Sequence, residues 1–379
     1  MTLPANRYDA VIIGAGMAGA SLGAELAGHM SVLVVEAEAQ PGYHATGRSV
    51  AFWTESYGGP RVRPLTRASY PLLASPDPDF AGHGFLTPRG ALHIGRVGDA
   101  ALRDAMIGTF ADDALFARVD GEALKAGVPG LRAEWTVGLA EPNTCDIDVA
   151  ALHEAYLRRL RRLGGVVTCS SRFEGACALP GGGWSVRLAS GEEVRAGLLI
   201  NAAGAWADDV AKRSGVRGLG IRPLLRTVVQ LRVDPAAPDH LPLVLDLAES
   251  FYFKPIGGGR LWLTPHDEQP AEPGDVAPDE LDVAIAIDRL SQVVDWRVEA
   301  VERKWAGLRS FAPDRLPVYG RDADVRGFFW FAGQGGFGIQ TAPAAARLAA
   351  ALILGVEDLL IAGIDTKIYT PERFSACGA

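Results

Sequence analysis

Residues 8–36 contain the pattern that most constrains the fold of this chain. A short apolar run, residues 11–13, is followed by a glycine-rich turn, a helical stretch, a second apolar run and an acid. Gly14, Gly16 and Gly19 complete G-x-G-x-x-G where the first strand would give way to the helix. Such glycines permit a tight turn, close approach of a pyrophosphate to the backbone, and close packing of helix on strand. The pattern predicts a dinucleotide-binding unit with a parallel sheet.

The helix over residues 17–27 is expected to direct its N-terminus at the pyrophosphate, where free N–H groups and the helix dipole favour negative charge. Glu36 ends the second strand and follows Gly14 at about the spacing of 20 residues typical of a ribose-binding acid. Its carboxylate is expected to accept the ribose hydroxyls and to repel a 2′-phosphate. The motif alone fits NAD or FAD, and its place at the beginning of the chain favours FAD.

Composition and charge exclude several classes of function. The chain has 379 residues and a net charge of −8, which suggests two domains and disfavours nucleic acid or an anionic membrane as a partner. Its cysteines lack C-x-x-C spacing and its histidines are scattered, so we expect reduced thiols in a cytoplasmic protein and no metal site. We expect no secretory signal and no transmembrane segment. Peripheral membrane contact is left open. The cysteines are Cys145, Cys169, Cys177 and Cys377.

The long segment 37–59 follows the first unit and carries Thr46, Arg48 and Ser49. Hydroxyl and guanidinium groups suit a loop that wraps a pyrophosphate from the side opposite the glycine turn. An ordinary surface loop is the alternative, but a loop this long inside a compact domain is usually functional.

The rest of the chain adds strands that would complete a two-lobed protein. A strand over residues 166–169 is expected beside the one that ends at Glu36, which would place Phe173 or Arg172 near an adenine. A strand over 197–200 leads into the small residues Ala203 and Gly204, which permit close approach of a dinucleotide. Residues 216–311 contain short β-branched and aromatic strands with turn signals, typical of an antiparallel sheet. A strand over 327–332, a glycine turn over 334–338 and a helix over 341–355 return to the first lobe.

These segments together resemble the D-amino acid oxidase-like FAD-dependent flavoproteins, and within them the bacterial D-arginine dehydrogenase type. The resemblance rests on G-A-G-M-A-G at 14–19, P-G-Y-H-A-T-G-R-S at 41–49, and further islands at 146–148, 201–206, 250–252, 305–310 and 334–340. It implies an α/β (overall α+β) fold of the glutathione-reductase-like, DAO-type architecture, in which a Rossmann-like lobe binds FAD and an antiparallel sheet binds substrate. The FAD-binding domain would comprise residues 1–60, 146–215 and 312–379, and the substrate-binding domain residues 61–145 and 216–311.

The motifs and the resemblance together select the residues that would serve each role. The expected FAD-binding residues are Gly14, Gly16, Met17, Ala18, Gly19, Glu36, Thr46, Arg48, Ser49, Phe173, Ala203, Gly204, Gly335, Gly338, Gln340 and Thr341. The expected catalytic and substrate-binding residues are Arg226, Arg309, Tyr57, Tyr252 and Gly336. Guanidinium groups bind a carboxylate with paired hydrogen bonds, and the Gly336 carbonyl could accept the substrate amine. The alternatives are ion pairs between the lobes for the arginines and structural packing for the tyrosines.

The resemblance implies FAD-dependent oxidative deamination of a D-amino acid, in which the Cα hydrogen leaves as hydride and water converts the imine to a 2-oxo acid and ammonia. It favours a dehydrogenase, with a quinone, another carrier or oxygen as electron acceptor. Ala91 stands where the D-arginine type has a glutamate for the distal guanidinium, and Phe52 stands where it has a histidine. We therefore expect neutral or apolar side chains. A glycine- or sarcosine-type oxidase and a non-catalytic FAD subunit are the alternatives.

Overall fold

The computed structural model describes residues 3, 5–111 and 114–374. The strands are β1 (Arg7–Ile13), β2 (Val32–Val35), β3 (Phe52–Trp53), β4 (Leu86–Pro88), β5 (Ala91–Arg96), β6 (Ala117–Asp120), β7 (Trp135–Glu141), β8 (Cys145–Ile147), β9 (Val166–Thr168), β10 (Phe173–Ala178), β11 (Trp184–Leu188), β12 (Glu193–Asn201), β13 (Arg222–Asp234), β14 (Leu243–Asp246), β15 (Tyr252–Gly257), β16 (Arg260–Thr264), β17 (Arg297–Phe311), β18 (Val318–Arg321), β19 (Phe328–Ala332) and β20 (Gln334–Gly335). The helices are α1 (Met17–Leu26), α2 (Arg63–Ala74), α3 (Ala100–Phe110), α4 (Gly121–Gly127), α5 (Val149–Arg162), α6 (Ala207–Arg213), α7 (Glu280–Val293) and α8 (Ala342–Leu354).

The first sheet contains the predicted dinucleotide-binding unit. Its strands run in the order β10-β11-β12-β1-β2-β9, and β19 also pairs with β12. The pairs β12–β1, β1–β2, β2–β9 and β12–β19 are parallel, which confirms the predicted parallel core and the placement of residues 166–168 beside β2. The apolar residues of the parallel strands pack against α1, α5 and α8 on one face and against residues of β10, β11 and α6 on the other.

One element of this sheet differs from the expectation. The sequence predicts a strand over residues 197–200, but β12 begins four residues earlier and runs from Glu193 to Asn201. Its first half pairs with β11 and its second half with β19. Gly197 does not break the strand because it lies close to β1, where a Cβ would stand 2.9 Å from the carbonyl oxygen of Asp9.

The second sheet has the order β20-β17-β13-β16-β15-β14-β5-β7-β6. It is antiparallel as expected, except that β14 and β5 pair in parallel. The exception arises because β5 belongs to the segment before α5 and joins the sheet from a distant part of the chain. The two longest strands, β13 and β17, pair along their whole length. Where the domain boundaries fall along the chain stays a prediction.

Two small connections bring the sheets together. The two-residue strand β20 follows β19 of the first sheet and pairs with β17 of the second, with Ser310 opposite Gly335. Phe52–Trp53 of β3 forms a separate small sheet with β8 and β4. The glycine turn after β19 is therefore held against the strand that carries Arg309.

Two further observations concern the surface and the thiols. None of the helices in the described ranges has the length and apolar character needed to cross a membrane. Cys145, Cys169 and Cys177 are free thiols, and Cys377 lies outside the described residues.

Candidate active site

A single cavity of about 1210 Å³ runs from Glu36 in the first sheet to Arg226 and Arg309 in the second. The residues that line the cavity come from both lobes, so one elongated ligand could contact both. Of the residues predicted to bind FAD or substrate, the following line it: Gly14, Gly16, Met17, Ala18, Glu36, Thr46, Arg48, Ser49, Tyr57, Phe173, Ala203, Gly204, Arg226, Tyr252, Arg309, Gly335, Gly336, Gly338 and Gln340.

The glycine turn is shaped by lack of space for side chains. Gly14 has a φ of +101°, and a Cβ there would lie 2.6 Å from the carbonyl oxygen of Ala202. A Cβ on Gly19 would overlap the carbonyl oxygen of Gly14, so this glycine permits α1 to pack against the turn. Gly19 is absent from the cavity lining given for the described residues. The structure therefore supports its packing role, and its contact with the cofactor stays a prediction.

Glu36 and His153 form hydrogen bonds to the backbone of the glycine turn. Glu36 is buried, and its carboxylate accepts hydrogen bonds from the N–H groups of Ala15 at 2.9 Å and Glu38 at 3.0 Å. The Nε2 atom of His153, on α5, lies 2.9 Å from the carbonyl oxygen of Ala15. Burial lowers the pKa of His153, so the neutral ring donates this bond. His153 was not predicted from the sequence, because no motif around it distinguishes it from other polar residues in a helix.

The loop after β2 closes over the turn. Thr46 accepts a hydrogen bond from the first N–H group of α1, that of Met17, at 2.9 Å. The guanidinium of Arg48 lines the cavity but bonds to the carboxylate of Asp275 and to the carbonyl oxygens of Val276 and Ala306. Arg48 therefore ties this loop to the segment after β16, and its contact with a pyrophosphate stays a prediction.

Two residues just before α8 form hydrogen bonds within the protein. The amide of Gln340 accepts a hydrogen bond from the N–H of Thr54 at 3.2 Å and donates to the carbonyl oxygen of Tyr57 at 3.2 Å. It thus holds the loop that carries Tyr57. Thr341 is fully buried, donates to the carbonyl oxygen of Phe337 in the turn before the helix, and is not among the cavity-lining residues of the described chain. The contact of both residues with the cofactor stays a prediction.

Arg226 and Arg309 are neighbours on one face of the β13–β17 pair. Arg226 is opposite Gly307 and Arg309 is opposite Leu224, which is a diagonal arrangement. Gly307 contributes no side chain, so the two guanidinium groups have room to approach each other. Both side chains are at least 88 % buried, with exposed fractions of 7 % and 12 %. Burial and the charge of Arg309 lower the pKa of Arg226.

Several donor atoms of these arginines have no hydrogen-bond partner. Nη1 and Nη2 of Arg226 and Nε of Arg309 are buried and make no hydrogen bond within the described chain. An unpaired buried donor is costly, and native structures retain such groups where a ligand completes them. Because both arginines line the cavity, these atoms fit an anionic ligand group.

Aromatic residues surround the same end of the cavity. The ring of Phe52 lies 5.5 Å from the rings of both Tyr57 and Tyr252. The hydroxyl of Tyr57 accepts a hydrogen bond from Nη1 of Arg309 at 3.3 Å. Burial raises the pKa of Tyr252 to about 12, so its hydroxyl keeps its proton and can donate. The five predicted catalytic residues therefore lie together in the structure.

Ala91 lies behind this aromatic wall. It is 2 % exposed and packs in a cluster with Phe52, Tyr252 and Val228. Phe52 and Val228 line the cavity, whereas Ala91 is not among the lining residues of the described ranges. The wall next to the arginines is thus apolar.

Replacing Gly336 by alanine is expected to lower kcat/KM by about 100-fold while FAD stays bound, because small displacements at a reacting centre have effects of this size. A Cβ at Gly336 would overlap the hydroxyl of Tyr57 and lie 3.2 Å from Nη1 of Arg309. Steady-state kinetics of Gly336→Ala, Tyr57→Phe and the double variant test this. Tyr57→Phe removes the overlapping hydroxyl, so adding Gly336→Ala to the Tyr57→Phe variant should lower kcat/KM by less than a further tenfold. A further 100-fold fall in kcat/KM would contradict the contact between Gly336 and Tyr57.

His266 is expected to make the protein sensitive to acid. Burial and the charges of Arg226 and Arg309 lower the pKa of His266 to about 3, whereas an unfolded histidine has a pKa of about 6.5. Between these values the unfolded chain binds a proton that the folded chain does not, so stability falls as the pH is lowered from about 6.5 to 3. Between pH 7 and pH 4.5, the Tm of the His266→Asn variant should fall less than the Tm of the wild-type protein. Replacement of the exposed His240 by asparagine is the control. An equal fall of Tm over this pH range in all three proteins would refute the prediction.

No three His, Cys, Asp or Glu side chains in the described ranges are arranged to hold a metal ion.

The sequence and the fold were compared with known proteins. The sequence matches the family described as DAO, FAD dependent oxidoreductase, over residues 9–352. It is 30 % identical over 182 residues to glycine oxidase of Pseudomonas aeruginosa, covering 47 % of this chain and 46 % of that protein. It is 27 % identical over 231 residues to the mitochondrial dimethylglycine dehydrogenase of Mus musculus, covering 53 % and 25 %. The chain thus spans half or less of these two relatives.

Solved structures share the fold over nearly the whole chain. L-proline dehydrogenase from P. horikoshii superposes with a TM-score of 0.84 at 20 % identity, covering 98 % of this chain and 99 % of that one. Glycine oxidase from Geobacillus kaustophilus gives a TM-score of 0.81 at 21 % identity, covering 97 % and 98 %. With a family match over most of its length, a glycine turn shaped for a dinucleotide and an elongated cavity between two sheets, the chain belongs to the DAO family of FAD-dependent oxidoreductases.

Proposed function

We propose that this protein oxidises the Cα–N bond of a small α-amino acid whose carboxylate binds Arg226 and Arg309. The observation that carries the proposal is that two cavity-lining arginines hold buried guanidinium nitrogens without a hydrogen-bond partner among the described residues. A carboxylate matches this donor geometry, since guanidinium groups bind it with paired hydrogen bonds. A non-catalytic FAD subunit would have no need of two such costly groups at the end of the cavity.

The residues present fit FAD. Gly14 and Gly16 line the cavity at the N-terminus of α1, which favours a pyrophosphate. The carboxylate of Glu36 retains lone pairs for ribose hydroxyls after accepting its two backbone N–H groups. Gly335, Gly336 and Gly338 would lie beside the flavin, at the turn that joins the two sheets. Bound FAD supplies the two-electron acceptor for the reaction.

The protein side chains orient the substrate. Arg226 and Arg309 would fix the carboxylate, and the hydroxyl of Tyr252 would donate a further hydrogen bond. The carbonyl oxygen of Gly336 would accept a hydrogen bond from the amine and orient it. No general base is assigned, because an amine that binds in its neutral form needs no deprotonation. Water would then convert the imine product to a 2-oxo acid and ammonia.

The preferred substrate within this class is a D-amino acid with a neutral or apolar side chain. The resemblance to the D-arginine dehydrogenase type supports the D configuration. Phe52, Val228 and Ala91 form an apolar wall in which a distal guanidinium or ammonium group would find no counter-ion. We therefore expect D-arginine and D-lysine to be poor substrates.

Glycine or an N-methylated glycine is the second candidate. It is favoured by the similarity to glycine oxidase and to dimethylglycine dehydrogenase. Both candidates use the same carboxylate site, so they differ in the group carried at Cα or at the nitrogen. The electron acceptor, whether oxygen, a quinone or another carrier, would distinguish an oxidase from a dehydrogenase.

The proposal is tested by mixing the FAD-loaded protein, without oxygen, with a panel of D-amino acids, L-amino acids, glycine and N-methyl glycines. The rate of flavin bleaching is followed for each compound. Faster bleaching by neutral D-amino acids supports the first candidate, and faster bleaching by glycine or sarcosine supports the second. Bleaching by no member of the panel would refute the proposed amino-acid oxidation. Hydrogen peroxide release under air then identifies oxygen as acceptor or excludes it.

A further inference from the structure

We infer that Glu268 limits the substrate to a single carboxylate, by cancelling one of the positive charges that meet at the carboxylate site. This inference deepens the proposed function and rests on it. Glu268 lies in the segment between β16 and α7, and it was not singled out from the sequence.

Asp267 and Glu268 contact both buried arginines. The carbonyl oxygen of Asp267 accepts hydrogen bonds from Nε of Arg226 at 3.1 Å and from Nη2 of Arg309 at 3.3 Å. The Oε1 atom of Glu268 accepts a bond from Nη2 of Arg309 at 2.8 Å and lies 3.7 Å from Nη2 of Arg226. This two-residue segment therefore holds the guanidinium groups in place.

A third arginine fixes the carboxylate of Glu268. Nη2 of Arg315 donates to Oε1 of Glu268 at 2.8 Å, and the Arg315 side chain is half exposed and stacks on the ring of Phe311, 4.0 Å from its centroid. Burial alone would raise the pKa of Glu268, but the hydrogen bond from Arg315 and the charge of Arg309 outweigh it, and the pKa lies below its ordinary value. Glu268 is therefore an anion under ordinary conditions.

The charged side chains around the proposed carboxylate site carry one net positive charge. Arg226, Arg309 and Arg315 contribute three positive charges, and Asp267 and Glu268 contribute two negative charges. Arginine does not lose its proton in proteins. A substrate with one carboxylate neutralises the site, whereas a second carboxylate would be buried without a compensating cation, which is unfavourable.

The positions of the groups support this assignment. Among the described residues, the cavity lining includes Arg226 and Arg309 but does not include Glu268. Glu268 thus approaches the guanidinium groups from outside the cavity lining, and it forms no hydrogen bond to Nη1 or Nη2 of Arg226 that would compete with the substrate. Glu268 is accordingly a specificity-determining residue that acts through Arg309 and does not itself contact the substrate.

Binding of two unreactive acids to the FAD-loaded protein tests the inference. Propanoate and succinate are the deaminated counterparts of alanine and aspartate, and calorimetry gives a Kd for each. Wild type should bind propanoate more tightly than succinate. In Glu268→Gln the site gains a positive charge, so the affinity for succinate relative to propanoate should rise by about tenfold, the scale expected for a partly screened charge at this distance. Glu299→Gln removes an exposed acid of β17 that is not among the cavity-lining residues of the described chain, and it should leave the ratio unchanged.

A second variant keeps the test decisive if Glu268→Gln does not fold. Arg315→Gln removes the half-exposed arginine, brings the charge sum to zero, and should weaken binding of both acids, succinate more than propanoate. A succinate-to-propanoate ratio within twofold of wild type in whichever of these variants fold would overturn the inference while leaving the proposed function in place. Failure of wild type to bind either acid would instead refute the carboxylate site itself, and with it the proposed function.

Discussion

Arg226→Met is expected to lower kcat/KM by roughly 100- to 1000-fold with a much smaller effect on thermal stability. Removing one partner of a buried charged contact costs about 3 to 4 kcal/mol of binding, which corresponds to this range. Nη1 and Nη2 of Arg226 have no hydrogen-bond partner among the described residues, and Arg309 repels the group. The substitution does remove the ion pair with the buried carboxylate of Asp267, which lies 3.7 Å from Nε of Arg226. That carboxylate keeps its hydrogen bonds from Thr227, so we expect Tm to fall by only a few degrees.

Arg232→Met is the matched control on the same strand. Arg232 is 40 % exposed and pairs with Glu302 at the surface, so its replacement should change neither kcat/KM nor Tm appreciably. The opposite result for Arg226→Met, a large fall in Tm with kcat/KM within tenfold of wild type, would show that Arg226 is a structural residue and would contradict the carboxylate role.

Gly19→Ala is expected to destabilise the protein by about 3 kcal/mol and to abolish FAD binding. The new Cβ would overlap the carbonyl oxygen of Gly14, which is backbone and cannot move aside cheaply. The helix α1 would have to shift away from the glycine turn within a closely packed core. Denaturant unfolding and the flavin absorbance of the purified protein measure the two effects.

Gly28→Ala provides the control for the chemical change. Gly28 follows α1, and a Cβ there would meet only Cδ1 of Leu163 at 3.7 Å, an ordinary contact. This variant should keep wild-type stability and flavin content. If Gly19→Ala retained both as well, the close packing of α1 on the turn would not be required for the dinucleotide site.

The features predicted well from the sequence are those with a strong local signal. The spacing of Gly14, Gly16 and Gly19, followed by Glu36, identifies a strand–turn–helix–strand unit because each glycine satisfies a backbone requirement there. The short apolar strands of the first sheet follow in the same way. Arg226 and Arg309 needed the family resemblance, since a single arginine in a strand gives no sign of the residue opposite it.

The features missed depend on register and on contacts between distant segments. β5 joins β14 in parallel because of the path of the chain between them, which no local pattern records. The bond of the Arg48 guanidinium to Asp275 joins residues more than two hundred positions apart, so the loop sequence contains no sign of it. Gln340 and Glu268 act through the loop of Tyr57 and through Arg309, so only the folded structure identifies their partners.

The most direct test of the account compares D-alanine with D-alaninamide, which has the same Cα–N bond but no carboxylate. Each is mixed with the FAD-loaded protein without oxygen, and the rate of flavin bleaching is measured in wild type and in Arg226→Met. The account predicts rapid bleaching of the wild-type protein by D-alanine and bleaching at least 100-fold slower by the amide, with the difference largely lost in Arg226→Met. Equal rates for the two compounds in wild type would contradict the assignment of Arg226 and Arg309 to the substrate carboxylate.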